Sequence, residues 1–202
     1  LEHGIRTIDT GFFRPQFDAS HLIVENARAA FVDVGTSHSV PRLLEALAAE
    51  GLPPAAVDYV ILTHVHLDHA GGAGALMREL PNARAVIHPR GARHMIDPAQ
   101  LIAGATAVYG ADEIRRSYGE IVPIAPDRID SLLAERAAIP AADRLHVLAA
   151  EEKIASQASH AAGAGAALLT ALRNRYNFII VDVPFAPVPL FRDLLDLVDQ
   201  RI

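Results

Sequence analysis

The feature that most constrains this chain is a junction in its first third. There the apolar run Asp58-Tyr-Val-Ile-Leu-Thr63 passes without a spacer into His64-Val-His-Leu-Asp-His-Ala-Gly-Gly72. A continuous apolar run of this kind reads as a strand buried on both faces, which belongs in a sheet covered by helices. Such sheets place ligands beyond the carboxyl ends of their strands, which is where the histidines fall. Three imidazoles and one carboxylate within six positions are poorly explained as solvent-facing or hydrogen-bonded core residues, the ordinary fate of a lone histidine. In a loop leaving a strand, His64 and His66 can turn to one side and share a cation, while Asp68 and His69 converge on a second site. Gly71 and Gly72 let the backbone turn tightly into the next helix.

The flanking pattern agrees with an α/β class. His21 to Val24 and Ala29 to Val34 are β-prone runs separated by Glu25-Asn26, which predicts a hairpin. From Ser39 to Glu50, Leu43, Leu44, Leu47 and Ala48 recur at helical spacing, with Ser39 as N-cap, Pro41 in the first turn and Gly51 as the stop. Ala73 to Leu80 and Ala111 to Tyr118 read as helices and Ala85 to His88 as a further central strand. After about Ile124 the character changes. Ser131 to Ala138 reads as helical, Arg144 to Ala149 as a strand, Ala166 to Arg175 as a helix, Asn177 to Val183 as a strand and Leu190 to Val198 as a helix.

Composition limits the chemistry. With no cysteine, any metal is held by imidazole and carboxylate, which suits zinc, iron or manganese. At 51% hydrophobic residues the chain has a core to bury; with a net charge of −6 and no basic run it lacks an electrostatic footprint for nucleic acid or anionic membrane. No apolar stretch is long enough to span a membrane, so the expectation is a cytoplasmic protein.

The segment from His64 to His69 resembles the HxHxDH signature of the metallo-β-lactamase superfamily. The resemblance extends upstream to Phe31-Val-Asp-Val-Gly35, an Asp-x-Gly turn after a strand, and covers about residues 5 to 124. It implies the first part of an αββα sandwich. It also implies that His64 and His66 bind a first metal, that Asp68 and His69 bind a second, and that Asp33 is a buried supporting group. The implied cofactor is one or two zinc ions, with iron or manganese as alternatives. The implied activity is attack of metal-activated water on an ester, thioester, amide or phosphoester of a small molecule, with Asp68 also orienting that water.

Downstream the family pattern breaks off. No Thr-Pro-Gly-His type loop follows, and the later histidines are His88, His94, His146 and His160. His88 and His94 line the cleft or a surface in this reading and His146 is structural. His160, in an Ala/Gly/Ser stretch, is a candidate substitute ligand. Asp127 to Arg136, Asp143 to Glu152 and Tyr176 to Pro184 resemble parts of a MinD/ParA-like pilus-assembly ATPase. In that reading Asp182 is the magnesium-holding acid, although no G-x-x-x-x-G-K-[ST] loop exists to cradle phosphates. Asp182 also ends an apolar strand as a metal-bridging acid would, but no Gly precedes it and Pro184 follows, so a plain strand-end acid is the expected reading. The expected division is therefore 1–125, metallo-β-lactamase-like, and 126–202, a partial parallel-sheet segment, as in a chimera joined near 124–130. Three functions stay open: a metallohydrolase, a catalytically incomplete module with weak metal binding, and an ATPase-like partner protein. Uncovered sheet faces or edges lead us to expect a homo-oligomer.

Overall fold

A computed structural model describes residues 4–131, 139–142, 145–147, 163–173 and 179 of the chain. Contacts divide it into two compact units, Leu1–Ala150 and Glu151–Ile202.

The first unit is built on a six-stranded sheet whose strands follow one another in chain order. Strands β1 (Ile5–Asp9), β2 (Ala19–Glu25) and β3 (Arg28–Val32) form an antiparallel meander. The β2–β3 hairpin turns at Asn26 and Ala27, with φ of 50° and 59°, one residue later than the sequence suggests. Two positive φ values match the strand twist of a tight hairpin, and Asn tolerates that region well. From β3 the sheet becomes parallel through β4 (Val57–Leu62), β5 (Arg84–Ile87) and β6 (Ile129–Ser131).

Parallel strands require crossovers, and these are helical. The β3–β4 crossover is α1 (Val40–Ala49), which buries Leu43 and Leu47 as its apolar spacing predicts. Ser39 stands at the N-cap, but its Oγ accepts from the Thr36 backbone N–H and so braces the preceding turn. The β4–β5 crossover holds α2 (Leu67–Ala70) and α3 (Ala73–Glu79). Between β5 and β6 lie α4 (Pro89–Ile96), α5 (Ala99–Tyr109) and α6 (Ala111–Tyr118). Helices α4 and α5 escape sequence reading. The latter is rich in small residues and buries none fully, resting Leu101, Ile102 and Ala105 against Leu67, Ile114 and Ile121. The main core joins Leu22, Phe31, Val57, Val60 and Ile87 of the sheet to Leu43, Leu47, Leu76 and Met95 of the helices and to Leu80, just past the end of α3. Each such side chain contributes about 1.5–3 kcal/mol on burial.

The sheet continues through the point where the sequence changes character. Ser131 ends β6 instead of opening a helix, and 132–138 lie outside the described residues. Just before β6, the Arg128 guanidinium donates to the carbonyls of Met77, Leu80 and Ala83, where α3 ends. A cation there satisfies orphan carbonyls and opposes the negative end of the helix dipole. Strands β7 (Ile139–Ala142) and β8 (Leu145–Val147) form a separate antiparallel pair, the second falling inside the expected Arg144–Ala149 strand. In the second unit, α7 (Ala164–Arg173) lies close to the expected 166–175 helix. The strand expected at 177–183, residue 179 apart, and the helix expected at 190–198 lie outside the described residues. Among the described residues no helix is long and apolar enough to cross a membrane.

Candidate metal centre

Two adjacent parallel strands end together and place the candidate residues. Asp33 follows β3, and Thr63 and His64 follow β4. Asp33 adopts φ 48°, a left-handed conformation that L residues other than Asn and Asp rarely hold. The turn is held there from several sides. The Asp33 N–H donates to Ile61 O (2.9 Å), Val34 N–H to His69 O (2.8 Å), Gly72 N–H to Gly35 O (2.9 Å) and the Ser20 hydroxyl to Asp33 O (2.7 Å). Gly72 is required at this approach, because a Cβ there would lie 2.4 Å from Thr36 O.

The buried Asp33 carboxylate then organises the loop after β4. Its Oδ1 accepts from the Thr63 N–H at 2.9 Å, and its Oδ2 accepts from the Thr63 hydroxyl at 2.7 Å and faces His69 Nδ1 at 3.2 Å. Since the Thr63 hydroxyl uses its one hydrogen to donate to Asp33, its oxygen accepts from His64 Nδ1–H at 3.0 Å. Both imidazoles are thus held through Nδ1, one by the carboxylate and one through threonine. In the neutral ring this leaves the lone pair on Nε2, the arrangement that carboxylate-backed imidazole ligands use.

The three imidazoles gather in one place. The His64 ring centroid lies 4.2 Å from that of His69 and 4.7 Å from that of His66. His69 Nε2 faces Asp68 Oδ2 at 3.7 Å. Asp33, His64 and His69 offer ligand atoms that all lie within 4.8 Å of one another; His66 and Asp68 stand outside that trio. A tetrahedral ion with bonds of about 2.0–2.1 Å holds its donors roughly 3.3 Å apart. The donor set, nitrogen and carboxylate oxygen without sulfur, fits a divalent ion in kind.

Two histidines feel opposite fields. The hydrogen bond to Asp33 raises the pKa of His69, with burial opposing and the charges of Asp33, Asp68 and Asp18 adding to the rise. His21, buried on β2, has its pKa lowered by burial, against the charges of Asp33 and Asp18.

Of the remaining candidates, His88 caps α4 by accepting from the Arg90 N–H at 3.2 Å, and His94 lies beside Arg93. His146 is in β8, as expected of a strand residue. His160 and Asp182 lie outside the described residues. Sequence reading gave no role to Thr63 or Ser20. Their roles depend on the β2–β3–β4 register, which no local signal states.

Residues 14–144, more than half of the chain, match the family model described as the Metallo-beta-lactamase superfamily. The chain belongs to the metallo-β-lactamase superfamily. Similar solved structures of the superfamily include a HARLDQ-motif mutant of a metallo-β-lactamase from Cronobacter sakazakii. It has 20% identity and a TM-score of 0.45, covering 66% of this chain and 46% of that one. MEM-A1, a subclass B3 metallo-β-lactamase from a soil metagenome library, has 18% identity and a TM-score of 0.46, with coverage of 67% and 46%. Native FEZ-1 metallo-β-lactamase from Legionella gormanii has 14% identity and a TM-score of 0.46, again with 67% and 46%. The chain therefore spans about half the length of these superfamily structures. No curated protein matches it. The family match runs through residues 124–130, so it lends no support to a junction there or to an ATPase-like segment beginning at 127.

Proposed function

We propose that this protein is a metal-dependent hydrolase in which His64, His66, Asp68 and His69 hold one or two divalent ions. Zinc is the first choice, with iron or manganese as alternatives, and the substrate is a small ester, thioester, amide or phosphoester. The observation that supports this reading is the gathering of the His64, His66 and His69 rings, 4.7 and 4.2 Å from His64 to the other two, beside the Asp33 carboxylate at the carboxyl ends of β3 and β4. A bound divalent ion supplies Lewis acidity, which activates water and polarises a carbonyl or phosphoryl oxygen. The chain's own part is to present imidazole nitrogens in a fixed tautomer. Asp33 does this for His69 directly and for His64 through Thr63. Asp68, partly exposed beside His69, would also orient the attacking water.

The test is elemental analysis of the full chain together with His64→Ala and His66→Ala, followed by hydrolysis assays on thioester, lactam and phosphodiester substrates. The expected result is one or two ions retained through dialysis in the parent, lost in the variants, with activity falling at least about 100-fold. A parent that holds no ion, or one that dialyses away, would instead make this a catalytically incomplete module.

A further inference from the structure

Beyond the histidine loop, the first unit carries a pocket of about 470 Å³ lined by Thr10, Gly11, Phe12, Phe13, Thr36, His38, Arg42, Arg116 and Ser117. Its volume falls in the range of small-molecule sites, roughly 300–1,000 Å³. None of the histidines of the candidate metal centre lines it, although Thr36 follows the Asp33–Gly35 turn, so the two places flank the same turn.

The walls differ in chemistry. On one side stand Arg42, Arg116 and His38 with the hydroxyls of Thr10, Thr36 and Ser117, and no acidic side chain is among the lining residues. Arg116 is neutralised by Glu113, which also accepts from the Ser117 hydroxyl at 2.5 Å. The His38 ring is held by the Arg116 carbonyl at 3.1 Å; because a carbonyl only accepts, Nε2 carries the proton. Arg42 makes no ion pair among the described residues, and its guanidinium donates only a long hydrogen bond, 3.5 Å to the Asp9 carbonyl. The Asp9 carboxylate, close enough to feel Arg42, accepts instead from the backbone N–H groups of Gly11 and Gln16. Arg42 is therefore the cation of the pocket that no carboxylate contacts directly among the described residues, with Asp9 as its nearest counter-charge. It is brought there by close packing, since a Cβ at Gly11 would lie 2.9 Å from its guanidinium carbon.

The other side is aromatic. Phe12 packs against Phe13, Phe17 and Tyr118, with centroids 4.3, 6.2 and 5.3 Å away. Phe13 is 70% exposed and sits at φ 55°, a costly conformation for a bulky residue. Its loop is held from both ends, by Thr10 N–H and hydroxyl on Asp18 and by the Asp9 carboxylate on Gly11 and Gln16. Backbone strain that leaves an apolar ring in water is of the sort found at ligand clamps.

We propose that this pocket binds an organic anion, a flat aromatic body carrying one phosphonate, phosphate or carboxylate, with Arg42 taking the oxyanion and Phe13 the ring. Guanidinium presents a planar fork that suits such groups. The proposal does not rest on the hydrolase reading, and its test needs no metal. Phenylphosphonate, which offers no bond for a hydrolase to cut, is titrated calorimetrically into the metal-free full chain, with benzoate, inorganic phosphate and benzyl alcohol in parallel. Saturable binding of phenylphosphonate is expected, weakened roughly tenfold by Arg42→Gln and several-fold by Phe13→Ala. It should also weaken as salt is raised. Benzoate binding alongside it leaves the shared chemistry intact, whereas phosphate alone binding as tightly would remove the aromatic half of the proposal. No saturable binding, or binding unchanged in a folded Arg42→Gln and lost in His64→Ala, would overturn it.

Discussion

The two ends of the parallel strands are built from similar residues to opposite effect. At the amino ends, two ion pairs cross between neighbouring strands. Arg28 at the start of β3 pairs with Asp58 at the start of β4, and Arg84 at the start of β5 pairs with Asp130 of β6. At the carboxyl ends, one buried carboxylate serves a threonine and, directly or through it, two imidazoles, while Asp68 faces the His69 ring. The first arrangement is closed: donors and acceptors match and nothing further is required. The second gathers carboxylate and imidazole groups around a backbone held in an uncommon conformation. Ligand atoms drawn together at a strand end, in place of matched opposite charges, are what set this edge apart from the other.

The contrast can be broken first at Gly72. Gly72→Ala drives a Cβ against the Thr36 carbonyl and should cost about 3 kcal/mol, read as a lowered denaturation midpoint together with loss of bound metal. Asp33→Asn comes next. It keeps the shape but removes the charge that fixes both rings, and metal affinity should fall about 10–100-fold by competition with a chelator. Equal affinity in that variant would show that the carboxylate is only a turn residue. At the opposite end, Arg84→Ala should cost no more than about 1 kcal/mol, since that pair is partly solvated, and should leave metal content unchanged.

The smallest effect is the pH dependence of the metal-free protein. His69, with its raised pKa, contributes stability that is complete below about pH 6.5 and is lost as pH rises through its folded value. His21, with its lowered pKa, acts in reverse, stability being lost as pH falls below about 6.5 toward its folded value. Melting temperatures between pH 5 and 8 should therefore fall more steeply toward acid in His69→Asn and less steeply in His21→Asn. Parallel curves for the two variants would contradict these assignments.

Much of this edge could be read from residues alone. The apolar run into His64 predicted a strand followed by a loop, and the recurrence of Leu43 and Leu47 predicted the helix of the first crossover. What could not be read was any feature that depends on register. Asp33 meets His69 across 36 positions because β3 and β4 are parallel neighbours, and nothing near either residue says so. Helix α5 was missed for a different reason: its small residues form no apolar stripe, since the helix rests on its neighbours without burying a face. Ser131 was misjudged because three residues of strand carry too little pattern to outweigh the helical composition after them.

The reach of Arg128 back to α3 has a consequence for cutting this molecule into parts. A fragment ended at residue 125 would keep five of the six strands and every residue proposed to touch metal. It would also strip the guanidinium from the carbonyls of Met77, Leu80 and Ala83 and uncover the free side of β5. The shortest excised piece in which α3 keeps its C-terminal cap and β5 its neighbour must run through Ser131.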